Sequence, residues 1–250
     1  MIDKKLLKSR FTKSIQTYNN EAKAQKIIAE RMNVILKNNV SVKSPFILEI
    51  GCGTGFMSRN IVKTFAPKSF IINDLCHEME KCFCDLSNSE NISYMWGDAE
   101  SIDFPANQDM IVSCSTIQWF ENINIFFKKC HSILKPGGYL AFSTFGKDNM
   151  HEFIEMTGHG LSYLPISNIE NILSEDYEII YSKEEIISLT FTSPIDVLYH
   201  IKKTGVTATA KHKWTKGKIE EFCNLYREKY ELNGKVTLTY NPIYILVRKL

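Results

Sequence analysis

Phe46-Ile47-Leu48-Glu49-Ile50-Gly51-Cys52-Gly53-Thr54-Gly55 sets four apolar residues around one acid and follows them with three glycines at alternate positions. A helical pattern then restarts at Phe56-Met57-Ser58-Arg59. An apolar run that ends in glycines and continues as a helix predicts a buried parallel strand, a tight turn and a first helical turn. Glycines at such a turn remove the Cβ atoms that would keep a ligand away from the backbone.

Three ligand classes use turns of this kind: dinucleotides, nucleoside triphosphates and S-adenosylmethionine. A dinucleotide loop places glycines first, third and sixth, and the sixth position here is Phe56. A phosphate-binding loop ends in Gly-Lys-Ser/Thr, which this stretch lacks. Glu49, two residues before the glycines, suits a ligand that carries an amine. The loop therefore fits S-adenosylmethionine best of the three.

The rest of the chain sets the frame. At 250 residues, 44% hydrophobic and 23% charged, it has the composition of a globular protein with one full core. The net charge of +2 gives no global argument for nucleic acid, and no apolar run reaches the roughly 18 residues of a membrane span. The polar start Met1-Ile2-Asp3-Lys4-Lys5 does not read as a signal peptide, and seven scattered cysteines, an odd number, predict reduced thiols in a cytoplasmic protein. Cys76, His77, Cys82 and Cys84 invite a metal reading, but on a helix Cys82 and Cys84 point about 200° apart. No second ligand pair follows at finger-like spacing, so no metal is expected.

Helical spacing of Phe11, Ile15 and Tyr18, then Ala22, Ile28, Met32 and Leu36, predicts an N-terminal helical arm with a break near Asn19-Asn20. Strands are expected at 46–50, 69–73, 92–96, 110–114 and 139–145, with helices at 56–65, 77–86 and 122–134 between them. The last of these helices is expected to stop at Pro136-Gly137-Gly138. Such alternation gives a parallel sheet with helices on both faces. After 150 the alternation weakens. Helices are expected at 151–160, 168–174, 195–204 and 216–230, strand-like runs over 177–191 broken at Ser182-Lys183, and a closing strand over Val236–Val247. The division that follows is one domain: an arm over 1–40, a ligand-binding half over 41–150, a cap with later core elements over 151–235, and a closing strand over 236–250.

Glu49, Asp74 and Asp98 all fall at strand ends, where ligands bind on such sheets. A carboxylate accepts two hydroxyl hydrogen bonds, so Asp74 is the candidate for a ribose. Asp98 with Ala99 is the candidate for an adenine amino group, and Gly51 and Gly53 open the backbone to the methionine tail, whose ammonium Glu49 could meet. One acid alone would be an ordinary loop residue or cap. Three at successive strand ends beside a glycine loop form a site.

The glycine loop, the two later acids and Leu134-Lys135-Pro136-Gly137-Gly138 resemble the class I methyltransferases. Further segments resemble a narrower family, the malonyl-acyl-carrier-protein O-methyltransferases of biotin synthesis. They are Arg10-Phe11 with Tyr18-Asn19, Ala22 and Gln25; Gly55-Phe56-Met57-Ser58-Arg59; Ser115-Thr116-Ile117-Gln118-Trp119-Phe120; Ile201 to Thr207; and Leu238-Thr239-Tyr240. The cysteine-rich stretch at 76–84 departs from the pattern, although Cys76 and Met79 keep its frame.

The resemblance implies an α/β class I methyltransferase fold: a mostly parallel, seven-stranded Rossmann-like sheet with helices on both faces, an N-terminal helical arm and a helical cap in the C-terminal half. It implies methyl transfer from S-adenosylmethionine to the free carboxylate of malonyl-acyl-carrier protein or malonyl-CoA, at the start of pimeloyl assembly for biotin. It adds Cys52, Leu75 and Ser115 to the expected cofactor contacts and makes Gln118, Trp119, Lys202 and Tyr18 the candidate catalytic residues. Lys202 is the first candidate to hold the acceptor carboxylate, in competition with Arg10 and Arg59. An acidic carrier needs a basic dock, and between Asp196 and Glu220 the chain carries Lys202, Lys203, Lys211, Lys213, Lys216 and Lys218 with no acid among them. Aromatic residues suited to stacking bases are sparse there, so nucleic acid is not the expected partner. The competing readings are methylation of a quinone ring or a free dicarboxylic acid, and a scaffold that binds S-adenosylmethionine without catalysis.

Overall fold

The computed structural model describes residues 2–87, 89–205 and 214–250. Seven strands form the central sheet in the order β3 (Ile92–Trp96), β2 (Ser69–Asp74), β1 (Phe46–Ile50), β4 (Gln108–Cys114), β5 (Leu134–Phe145), β10 (Pro242–Lys249) and β6 (Tyr177–Glu184). The first five are parallel, and β10 runs antiparallel to both β5 and β6. This is the expected class I methyltransferase sheet.

Its strands are buried on both faces. Ile47 of β1 joins one core, while Leu48 and Ile50 join the other; Tyr244 and Leu246 of β10 alternate with Ile243, Ile245 and Val247 in the same way. Fully burying one such side chain is worth about 1.5–3 kcal/mol. Helices α2 (Lys23–Asn39) and α3 (Phe56–Phe65) cover the first face, and α4 (Ile123–Ile133) and α6 (Ile166–Leu173) the second. The chain runs from β1 out to β3 and returns to β4 on the other side of β1. The strand order thus reverses beside the carboxyl end of β1, the place where such sheets bind ligands.

Several boundaries differ from expectation. The break in the N-terminal arm falls at Ala22, whose N–H bonds Tyr18 O at 2.7 Å, so α1 (Lys4–Glu21) ends after Asn19-Asn20. Only α1 is an arm, since α2 buries Ala24, Ile28, Met32 and Leu36 in the core. The helix expected over 77–86 is one 3-10 stretch, His77–Cys82. Pro136-Gly137-Gly138 does not stop a helix: α4 ends at Ile133 and passes directly into β5. The glycines lie in an irregular part of β5, where a side chain at Gly138 would press on the Lys135 and Asp109 carbonyls.

The closing segment is two strands, and the cap contains a sheet. β7 (Ile187–Phe191), β9 (Lys235–Tyr240) and β8 (Glu231–Leu232) form a small antiparallel sheet packed with α5 (His151–Thr157), α7 (Pro194–Lys203) and α8 (Lys216–Tyr230). Ser182-Lys183 does not interrupt the strand, because β6 pairs with β10 through both residues. The chain changes sheet at Glu185 on the way out and at Asn241 on the way back. Asn241 ties the crossing together: its Nδ2 donates to Glu185 O at 3.0 Å, its Oδ1 accepts from Asp148 N at 3.0 Å, and its own N–H reaches Asn149 Oδ1 at 3.2 Å. Replacing Asn241 with Ala would leave a partly buried carbonyl and an N–H unpaired. We expect a loss of about 2–3 kcal/mol in urea unfolding with an unchanged m-value.

Candidate active site

The glycine loop is held from two sides. Gly51 N and Cys52 N donate to Asn73 O at 2.9 and 3.0 Å, which fixes the end of β1 to the end of β2. The Asp74 carboxylate accepts from Gly53 N at 2.9 Å and from Cys76 N at 2.8 Å. Gly51 has φ +73°, and any Cβ there would collide with the Thr116 side chain. Gly53 has φ +52°, and the direction of its absent Cβ is open space. From outside, the Arg59 guanidinium bonds Thr54 O and Cys82 O at 2.8 and 2.6 Å and pairs with Asp85. Arg59 is thus committed to loop architecture and does not line the cleft.

The loop walls a cleft of about 1010 Å³, part of it continuous with solvent. Glu49, Gly51, Cys52 and Gly53 line it, as do Asp74 and Leu75 from the end of β2, Asp98 and Ala99 after β3, and Ser115 after β4. Glu49 is 1% exposed, and burial, reinforced by the charge of Asp74, pushes its pKa up to about 8. Among the described residues, Glu49 Oε2, Thr54 Oγ1 and Ser115 Oγ are buried polar atoms without a hydrogen-bond partner. A polar ligand with an ammonium group and hydrogen-bonding oxygens would satisfy such atoms.

Helix α1 roofs the cleft. Lys4, Leu7, Phe11 and Tyr18 recur at spacings of three, four and seven, one helical face, and all four line the cleft. Phe11 meets the edge of Trp119 with ring centroids 5.9 Å apart, and burial raises the Tyr18 pKa above its ordinary value. Lys4 bonds the Asp98 carboxylate at 2.6 Å and also pairs with Glu100. Sequence reading passed over Lys4, although the one-face spacing was legible in it.

A second cavity of about 620 Å³, part of it continuous with solvent, lies beyond, sharing Phe11, Tyr18, Gln25, Ser115 and Trp119 with the cleft. Gln118 lines only this second cavity; its Nε2 donates to Ser115 O at 2.7 Å and its Oε1 has no partner. A third, outer groove holds Arg10, Lys13, Lys202 and Lys203 and meets the second cavity at Phe153 and His159. Lys202 therefore belongs to the outer groove and lines neither inner cavity, while Lys203 pairs with Glu21 at 2.8 Å. Lys211 and Lys213 lie outside the described residues. Cys76 is buried with its Sγ near Lys8 O, whereas Cys84 is exposed; no three potential ligands gather as a metal cluster among the described residues. No described helix is long and apolar enough to cross a membrane.

The profile of the methyltransferase domain family matches residues 48–142, from β1 to β5. The malonyl-acyl-carrier-protein O-methyltransferase of Bacteroides thetaiotaomicron is 42% identical over 99% of this chain and 99% of its own length. The chain belongs to the malonyl-acyl-carrier-protein O-methyltransferases. The relative of that name from Bacteroides fragilis is 45% identical over 98% of this chain, which spans 50% of that longer protein. Among solved structures, the N-methyltransferase NodS of Bradyrhizobium japonicum shares the fold, with a TM-score of 0.53 and 15% identity over 88% of this chain and 86% of that one.

The raised pKa of Glu49 has a sign that can be checked. The unfolded carboxyl titrates near 4.5 and the folded one near 8, so the folded state holds the extra proton between them. The contribution of Glu49 to stability without ligand is full below 4.5 and is lost as pH rises through 8. Glu49→Gln should flatten that part of the pH–stability curve measured by chemical unfolding. An ammonium ligand beside Glu49 should also expel its proton near neutral pH, seen as a buffer-dependent binding enthalpy that Glu49→Gln abolishes.

Proposed function

We propose that the chain transfers the methyl group of S-adenosylmethionine to the free carboxylate of malonyl-acyl-carrier protein, forming the methyl ester that begins pimeloyl assembly for biotin. One observation carries this reading. The cavity that adjoins the cleft is walled by aromatic and amide side chains, with no Asp, Glu, Lys or Arg among its described lining. An acceptor that needed deprotonation would call for a base at the point of transfer, and the one histidine there, His159, stands at the outer end where the groove begins. A carboxylate, with a pKa near 4, is already ionised at neutral pH.

S-adenosylmethionine, when bound, supplies an electrophilic methyl group. The chain's part is to bind, align and dry the reactants. Glu49 would take the ammonium and the Gly51–Gly53 backbone the methionine tail; Asp74 would take the ribose hydroxyls, with Leu75 beside it. Asp98 and Ala99 would take the adenine edge, with Lys4 as a neighbour the acid must share. Trp119 and Tyr18 flank the passage between the cavities and would exclude water from a weak nucleophile. Holding it in line with the methyl group is worth about 7–11 kcal/mol in favourable cases. Lys202 and Lys203 edge the outer groove, which suits the phosphate and acidic surface of a carrier protein better than the reacting carboxylate.

The deciding experiment incubates the protein with S-adenosylmethionine and malonyl- or acetyl-carrier protein and weighs the carrier by intact mass spectrometry. A gain of one methylene mass on the malonyl form alone is expected, and methylation of neither form would defeat the proposal. Asp74→Asn should weaken S-adenosylhomocysteine binding about ten- to hundredfold by calorimetry, since hydrogen bonds to a charged acceptor are worth about 1.5–3 kcal/mol. Unchanged affinity would remove Asp74 from the ribose role.

A further inference from the structure

Something must hold the acceptor carboxylate, and the described lining of its cavity contains no lysine or arginine. Arg59 is occupied by loop carbonyls and Asp85, and Lys202 stands in the outer groove. A group passing between the two ligands must cross the window framed by the shared side chains Phe11, Tyr18, Gln25, Ser115 and Trp119. Gln25 is the one of these that carries two amide donors. It is 7% exposed, and its Oε1 has no partner.

Resting on the reading of the reaction given above, we propose that Gln25 is a catalytic residue that grips the acceptor carboxylate through its side-chain amide at the window between the two cavities. Its rival, Gln118, is anchored the wrong way round. Gln118 Nε2 donates to Ser115 O, and this leaves an acceptor oxygen to face an anion; turning the amide would forfeit that 2.7 Å bond. Gln25 also leaves Oε1 without a partner and donates toward the Tyr240 oxygen. A hydroxyl, unlike a carbonyl, can donate as well as accept, so the Gln25 amide can turn and still keep a bond there. Its side chain lies against the Tyr240 hydroxyl, which also stands 2.8 Å from His200 Nε2. Burial pushes the His200 pKa down to about 4, so the imidazole is neutral and its Nε2 can donate or accept. When Nε2 carries the proton it donates to the Tyr240 oxygen. With the Gln25 amide turned, Tyr240 donates to Gln25 Oε1 and the Gln25 amino group faces the window. His200 and Tyr240 are positioning residues in this scheme.

A neutral grip suits the chemistry. A lysine or arginine would hold the anion more tightly, but it would hold the reactant and stabilise its charge, which transfer must consume. An amide orients one oxygen and leaves the other nucleophilic. The methyl ester product has lost the charge that strengthened the hydrogen bond, so it is held less well and leaves.

The test uses the intact protein and three readouts: S-adenosylhomocysteine affinity, affinity for malonyl-pantetheine in the presence of S-adenosylhomocysteine, and kcat/KM with malonyl-carrier protein. Gln25→Ala should leave the first within about twofold and lower the other two about ten- to hundredfold. Gln25→Glu adds a readout that a structural role would not move. Its carboxylate would oppose that of the substrate, whereas its protonated form, favoured by burial and by lower pH, would donate a hydrogen bond. Activity of Gln25→Glu relative to wild type should therefore rise as pH falls. Titratable groups that line the two cavities around Gln25 or touch Tyr240 include Tyr18 on α1, Glu49 on β1, Asp74 on β2, Cys114 on β4, His159 and Tyr163 between α5 and α6, His200 on α7 and Tyr240 on β9. Combining Glu49→Gln with Gln25→Glu should keep the rise, which separates the introduced carboxyl from the titration of Glu49. Equal loss of both affinities, or full activity in Gln25→Ala, would overturn the role of Gln25 while leaving the reaction in place. A wild-type protein that methylates no malonyl carrier would remove the reaction itself, and the role of Gln25 with it.

Discussion

The Asp74 carboxylate is the joint on which the cleft is assembled. It is buried at the end of β2, accepts one N–H from the glycine loop and one from Cys76, and thereby sets the distance between two neighbouring strand ends. Desolvation raises its pKa, and the backbone N–H bonds work against that rise. With the loop fixed, Glu49 lies beneath it, Thr116 packs against Gly51, and the window to the second cavity has a rigid edge. Remove the joint and those positions lose their common reference.

Charge is sorted in space, although the chain as a whole carries only +2. Acids gather in the cleft, the middle cavity is neutral along its described lining, and basic residues line the outer groove. A sulfonium ligand, a single carboxylate and a phosphate-bearing partner would meet these three environments in that order. Net charge hides such an arrangement, because opposite surfaces cancel in the sum.

The parallel half of the sheet was legible because its signals are local. Apolar runs, alternate glycines and an acid at each strand end sit within a few residues of one another, and β1 and β3 have the bounds the sequence predicts. Distant partners decided the remainder. Pro136-Gly137-Gly138 has the composition of a helix stop, yet β4 pairs with Leu134 and Tyr139 on either side of it, which makes it an irregularity within β5. Nothing near Asn241 shows that Glu185 and Asp148 will meet it from elsewhere, so two strands read as one. In the site, Glu49, Asp74 and Asp98 were readable as strand-end acids. The clamp of Arg59 and the pairing of Lys4 with Asp98 required the fold. Lys202 was singled out by the segment it shares with the family, and α7 carries it to the outer groove.

Helix α1 is a wall of both inner cavities. Leu7 and Lys4 close the first, while Phe11 and Tyr18 close the first and second together. Two ligands that share a wall cannot bind independently of it. Any ordering of α1 by the first would serve the second, and by linkage each would then raise the affinity of the other by the same factor. The same helix touches the outer groove through Arg10, Lys13 and Thr17, which extends that reciprocity to whatever binds at the surface. A single helix thereby borders all three binding places.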